Sequence, residues 1–190
     1  EQGRSTKAEL IVGLPGETKK TFLNGLDNVL NSNSTSVTIY TLMMLHGTEF
    51  KNPEYRKKFG YKGKFRIVPL NFGNYQNEKI FDYEEVGIQT KDLSFEDYLY
   101  LRVIALLVES LHNGRPFNEF FLYGRHHNIQ QASLLKILYD NINKASKNIQ
   151  KIIQDFIDDT KGELWDTEKE LLDYYRIEEN YLKLKNGEVG

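Results

Sequence analysis

Residues 7–18 read Lys7-Ala8-Glu9-Leu10-Ile11-Val12-Gly13-Leu14-Pro15-Gly16-Glu17-Thr18. Ala8, Leu10 and Val12 alternate with Glu9 and Ile11, which predicts a strand, and the run is apolar enough to expect burial on both faces. Gly13-Leu14-Pro15-Gly16 ends it: Gly16 supplies backbone freedom, and Pro15 fixes its own φ and pushes Leu14 toward extended geometry. A helix is expected next, with Glu17 in its positive first turn. Strand, tight turn and helix form the repeating unit of parallel α/β sheets and barrels. Ligands in such folds sit at the carboxyl ends of strands, so Gly13 to Glu17 falls on the expected functional rim.

Outward from this stretch, Phe22, Leu26, Val29 and Leu30 fall on one face of a helix over Thr21–Leu30. A polar loop, 31–36, ends it. Val37–Leu45 is a second apolar strand, β-branched early, and it closes on the turn His46-Gly47-Thr48-Glu49. Strand, helix, strand at this spacing predicts a right-handed βαβ unit with parallel neighbours. Lys51–Lys64 reads as basic and polar with a short helix whose inward residues are Tyr55 and Phe59. Phe65–Phe72 and Lys79–Thr90 read as short, irregular extended pieces of a return connection.

From Ser94 onward the pattern is all α. Ser94 and Asp97 resemble a capping box, and the apolar run Tyr98–Leu111 marks a largely buried helix, stopped by Gly114 and Pro116. Phe117, Phe120, Phe121, Leu122 and Tyr123 form an apolar cluster. Further helices are expected over Gln130–Ser146, Ile149–Asp159 and Thr167–Leu184, the last capped by Asp166.

The 190 residues suffice for one or two domains, and the net charge of −2 offers no cationic field for nucleic acid. With 12 Tyr and 11 Phe, the chain is too aromatic for a disordered segment. It has no cysteine, which removes disulfides, thiolate metal sites, cysteine nucleophiles and thiolate-held iron–sulfur clusters from its own repertoire. No apolar run is long enough for a membrane span and the amino-terminal stretch has no signal-peptide shape, so the expected location is cytoplasmic, with no membrane partner. Both ends read as cuts inside a larger protein, because a buried-looking strand begins almost at once and 185–190 look like the approach to another element.

Each chemical motif has a plain structural reading beside it. The Gly13–Thr18 turn serves either a ligand that approaches the backbone or turn geometry alone, and it lacks the Gly-Lys-Ser/Thr ending of a phosphate loop. His46 and Glu49 are rim candidates or solvated turn residues. His126 and His127 are adjacent and point about 100° apart on a helix, which disfavours a shared metal. His112 is expected to interact with the carboxyl end of its helix. Glu84-Glu85 and Asp158-Asp159 read as solvated charges, and Ser94, Ser110 and Ser133 lack a nucleophile-elbow context. No metal site is expected.

Glu9–Thr18, the amphipathic helix after it, and Val37–Leu45 with Gly47-Thr48-Glu49 resemble the last two strands of a radical S-adenosylmethionine (SAM) enzyme barrel. Glu78-Lys79-Ile80-Phe81 and Thr90–Tyr98 resemble the segment after the barrel in radical SAM proteins that carry an N-terminal cobalamin-binding domain, many of them described as methyltransferases. The likeness covers about residues 1–110. It implies an α/β fold: an incomplete, partial TIM-like radical SAM barrel with parallel strands, followed by an all-α C-terminal region. Residues 1–92 would be the last βα units and return connection, and 93–190 a helical domain. Ile11, Val12 and Gly13 match the family's SAM-adenine strand, and Leu42, Met43 and Met44 lie on the next. The GxIxGxxE motif of that strand is imperfect, with Glu9 in place of its first Gly and Glu17 one position late.

The resemblance further implies SAM, an iron–sulfur cluster and cobalamin as cofactors of the parent enzyme. The family's CxxxCxxC loop is absent, so this chain alone is expected to be inactive, to bind no cofactor tightly and to have the N-terminal half of the same protein as its partner. Open strand edges are expected to pair with a second copy or to be covered by the helices. Two other readings stay open: a non-catalytic α-helical interaction module, and a different, aldolase-like barrel enzyme with Glu49 as its rim residue.

Overall fold

A computed structural model describes residues 6–32 and 34–189. The fold is α/β. Strand β1 (Lys7–Val12), helix α1 (Lys19–Asn31) and strand β2 (Ser36–Thr41) form the expected unit, and the strands pair in parallel with Leu10 opposite Ile39 and Ile11 opposite Tyr40. Thr18 caps α1 through a reciprocal box with Thr21, so Glu17 lies just before the helix and not in its first turn.

The expectation that β1 is buried on both faces is overturned. Ala8, Leu10 and Val12 face the core, whereas Lys7, Glu9 and Ile11 are exposed. On β2, Tyr40 is exposed beside Ile11. The two strands therefore form a one-sided sheet, and no closed barrel is formed by the described residues.

Helix α2 (Pro53–Phe59) follows, capped by Asn52 and closed by Gly60 in the left-handed conformation. The region expected to be an irregular return connection is instead a long antiparallel hairpin, β3 (Lys62–Tyr75) and β4 (Glu78–Gln89). Gln76 and Asn77 turn it with positive φ at both positions, the twist that tight hairpins require. Between the pairs Ile67–Tyr83 and Phe72–Phe81, β3 bulges outward, which accommodates Pro69, a residue with no N–H for the ladder. The hairpin also meets the parallel pair: the Gly87 N–H donates to the Leu42 carbonyl at 2.8 Å, and the Met44 N–H donates to the Glu85 carbonyl at 2.8 Å. The chain just past β2 thus has its edge covered by β4.

The rest is helical: α3 (Phe95–Leu107), α4 (Asn118–His126), α5 (Gln131–Asp140), α6 (Lys147–Gly162), α7 (Glu168–Arg176) and α8 (Glu178–Lys185). Three boundaries differ from expectation. The buried helix after Ser94 ends in a π-helical turn, Val108–His112. The helix expected over Gln130–Ser146 stops at Asp140. The last helix is two, because Ile177 adopts extended backbone between α7 and α8, and Thr167, not Asp166, caps α7 through a box with Glu170.

The main core sets Val12 and Val37 against Phe22, Leu26 and Leu30 of α1, then Tyr98, Leu101 and Ile104 of α3 and Leu135 of α5. A second cluster packs α7 and α8 on the hairpin through Ile67, Phe81, Leu171, Tyr175, Tyr181 and Leu184. Trp165 exchanges both backbone hydrogen bonds with Phe65 at 2.8 Å, covering part of the β3 edge. Among the described residues, no helix is long and apolar enough to cross a membrane.

Candidate functional site: the carboxyl ends of the parallel strands

The βαβ topology brings Gly13, just past β1, beside Leu42, just past β2. The Leu42 N–H donates to the Val12 carbonyl at 3.2 Å, and a Cβ on Gly13 would stand 3.8 Å from the Leu42 Cβ and 3.6 Å from the Gly87 carbonyl oxygen. Gly13 has φ of +97°, a conformation that only glycine takes without strain. The six candidate residues are therefore neighbours, and they divide by exposure. Ile11 and Met43 are open to solvent, at 40% and 43% exposure, whereas Val12, Leu42 and Met44 are buried.

Leu42 and Met44 belong to a small third cluster with Tyr61, against which Phe50, Tyr55 and Phe59 pack. Phe50 meets Tyr61 edge-on with centroids 5.6 Å apart, and Tyr55 stacks on Tyr61 at 6.4 Å. The Tyr61 hydroxyl donates to the Gly13 carbonyl at 2.8 Å. Burial, with Tyr55 and Glu17 nearby, holds the Tyr61 phenol well above its usual range, so it remains a donor at any physiological pH.

Glu17 curls back toward this turn. Burial raises its carboxyl above the usual carboxylate range, and hydrogen bonds from the Gly13 and Leu14 backbone only partly offset that. Its Oε2 is buried without a partner among the described residues. Behind the cluster stands Glu85, expected to be a solvated charge but buried in fact. Lys51 Nζ reaches its Oε2 at 2.5 Å and an Arg56 Nη reaches its Oε1 at 2.7 Å. Glu84 is likewise paired, to Arg66 at 2.7 Å, and Arg66 also reaches Glu163 at 3.0 Å.

His46 and Glu49 are exposed and outside this cluster, as are His126, His127, Asp158 and Asp159. Among the described residues, no group of three or more His, Asp or Glu could hold a metal ion. The sequence offered no sign of Tyr61 or Glu85: they come from α2's exit and from β4, and they reach the rim only through the hairpin that folds back on Leu42.

No protein-family model matches the chain, and no curated protein matches it.

Proposed function

We propose that this chain is the C-terminal portion of a radical SAM enzyme, cobalamin-linked and methyltransferase-like, and that it contributes part of the SAM pocket together with a helical substrate or cap region. One observation carries the reading: two parallel strands end side by side at Gly13 and Leu42. Their open face presents Ile11 beside Tyr40, with Met43 exposed at the strand end. A flat apolar surface at a glycine turn suits the face of a purine, and ligands of α/β folds gather at such strand ends.

The fit differs between groups. Of the six candidates, Ile11 and Met43 are open to solvent and fit an adenine face, whereas Val12, Gly13, Leu42 and Met44 are buried and support that face from within. No residue of this chain fits the iron–sulfur cluster, which needs thiolates, so those ligands belong to another stretch of the same protein. When bound in the parent enzyme, the cluster and SAM supply radical chemistry. This chain's share is to position SAM: Ile11 and Met43 offer the exposed apolar face, and Tyr61 holds the Gly13 turn beside it through the Gly13 carbonyl.

The test is calorimetric titration of SAM into the intact, anaerobically reconstituted parent protein, beside its Ile11→Glu and Met43→Glu variants. Both side chains are exposed in this chain, so the fold tolerates the change. Affinity falls by about tenfold or more in each, the cost of placing an unpaired charge against an apolar ligand face. Undiminished SAM affinity in both variants rules the assignment out.

A further inference from the structure

At the amino-terminal end of β2, away from the rim, a cavity of about 300 Å³ opens between the chain before that strand, the π-helical turn, α4 and α5. The six residues of β2 span about 20 Å at roughly 3.3 Å per residue, so this cavity and Leu42 lie at opposite ends of one strand. Its polar lining is Ser34, His112, Arg115, Asn118, Arg125 and Gln131, and Phe121 and Leu122 complete the wall. Among the described residues, no Asp or Glu lines it, and two guanidinium groups face it.

His112 is 8% exposed, and its Nε2 is shielded from solvent with no hydrogen-bond partner among the described residues. Its ring meets Phe121 edge-on, centroids 5.6 Å apart. A buried ring nitrogen left unpaired is costly, and native structures seldom keep one without a reason. Arg125 donates to the Leu30 carbonyl at 3.1 Å and lies against the Gln131 amide, which satisfies it once that amide is turned to present its oxygen, and Arg115 sits exposed at the mouth. Burial pushes the His112 imidazole down; the Ser34 backbone hydrogen bond opposes this, and Arg125 and Arg115 reinforce it. An anion would reverse the effect of the two arginines and give Nε2 a partner.

We propose that this cavity binds the phosphate monoester group of a small soluble molecule, with Arg115 and Arg125 as its charge partners and His112 as its hydrogen-bond partner. Guanidinium forks match phosphate oxygens two at a time. Donors converging from the π-helical turn, its exit and α4 suit a tetrahedral group better than a planar carboxylate. The volume is at the lower end for small-molecule sites, and the Phe121 and Leu122 wall offers an apolar surface for the rest of such a molecule.

The experiment is calorimetric titration of the chain with inorganic phosphate and with glycerol phosphate, beside acetate and beside Arg115→Ala and His112→Gln variants. Arg115 is exposed, so its variant folds, and a circular-dichroism melt verifies this. Both phosphates bind, Arg115→Ala weakens them by about tenfold or more, as expected for a lost charge-assisted hydrogen bond, and saturation moves the His112 imidazole pKa upward by NMR. Acetate binding as tightly as phosphate, or phosphate binding that the well-folded Arg115→Ala variant retains in full, overturns the proposal. Retention on vesicles containing phosphatidic acid, lost in Arg115→Ala, overturns the soluble source.

Discussion

The Tyr61 hydroxyl donates a 2.8 Å hydrogen bond to the carbonyl of Gly13, 48 positions earlier in the chain. This one contact ties the exit of α2 to the turn that ends β1. Tyr61→Phe removes the donor and leaves the ring packing intact. The expected loss is about 1–2 kcal/mol, the cost of a buried carbonyl deprived of its partner. For a chain of this length that lowers the melting temperature by roughly 2–8 °C, measured by circular dichroism. An unchanged melt shows that the carbonyl finds another donor.

Glu85 gives a pH dependence with a definite sign. Burial pushes its carboxyl up, but hydrogen bonds and charge from Arg56 and Lys51 outweigh that and hold it below the usual carboxylate value of 4.5. The unfolded chain therefore takes up the proton first as pH falls. The stabilisation is complete above the unfolded carboxylate pKa and is lost as pH drops through the lower folded value. Urea midpoints measured from pH 7 to pH 3 should fall more steeply for the wild-type chain than for Glu85→Gln, which is less stable at pH 7 and flatter below it. Parallel curves would mean that the ion pairs contribute nothing.

Gly63 exists for the same carboxylate. Glu85 lies across it so closely that a Cβ at position 63 would stand 2.8 Å from the Glu85 Cδ. Gly63→Ala forces the side chain off Lys51 and Arg56 and is expected to cost about 1–3 kcal/mol, the usual range for overpacking. The double variant Gly63→Ala, Glu85→Gln should cost less than the two single changes added, because both break one arrangement. Denaturant midpoints of the four proteins measure the coupling.

These residues also show what could be read in advance. The parallel pair was legible because Ala8, Leu10 and Val12 repeat at period two, and because a glycine turn, an amphipathic helix and a second apolar run follow at the spacing of a βαβ unit. The hairpin was hidden. Its turn, Gln76-Asn77, lacks the glycine that marks most tight hairpins, and Pro69 breaks the strand pattern where the structure has a bulge. Ile177 splits the last helix with neither Gly nor Pro to announce it. Glu85 reads as a surface charge because its cations, Lys51 and Arg56, come from a segment brought near only by the hairpin's return to Leu42 and Met44.

Asp27 caps a helix that is not its own. It is buried on α1, and its Oδ1 accepts from the backbone N–H of Ala132 at 3.0 Å, in the first turn of α5, where Gln130 provides no side-chain cap. Asn31 donates to the other oxygen at 3.1 Å. Asp27→Ala leaves that turn with an orphan donor, for an expected loss of about 1–2 kcal/mol. Asp27→Asn keeps an acceptor and should lose less. Hydrogen exchange at the Ala132 amide reads the effect locally: faster in Asp27→Ala, near wild type in Asp27→Asn.

His112 sets a second pH dependence, in a different window. Its imidazole sits below the usual 6.5, chiefly through burial and also through the positive charge of Arg125 and Arg115, against an opposing hydrogen bond with the Ser34 backbone. Below pH 6.5 the unfolded chain binds a proton that the folded one resists, so stability is full above that value and declines as pH falls toward the folded pKa. Each unit of depression corresponds to about 1.4 kcal/mol. The loss begins near neutrality, whereas the Glu85 loss begins near the carboxylate range, so one urea series separates them. His112→Gln should remove only the upper limb. Saturating phosphate should shrink that limb in the wild-type chain, since a bound anion offsets the arginines and eases protonation of the ring. An upper limb identical in wild type and His112→Gln would assign it to another group.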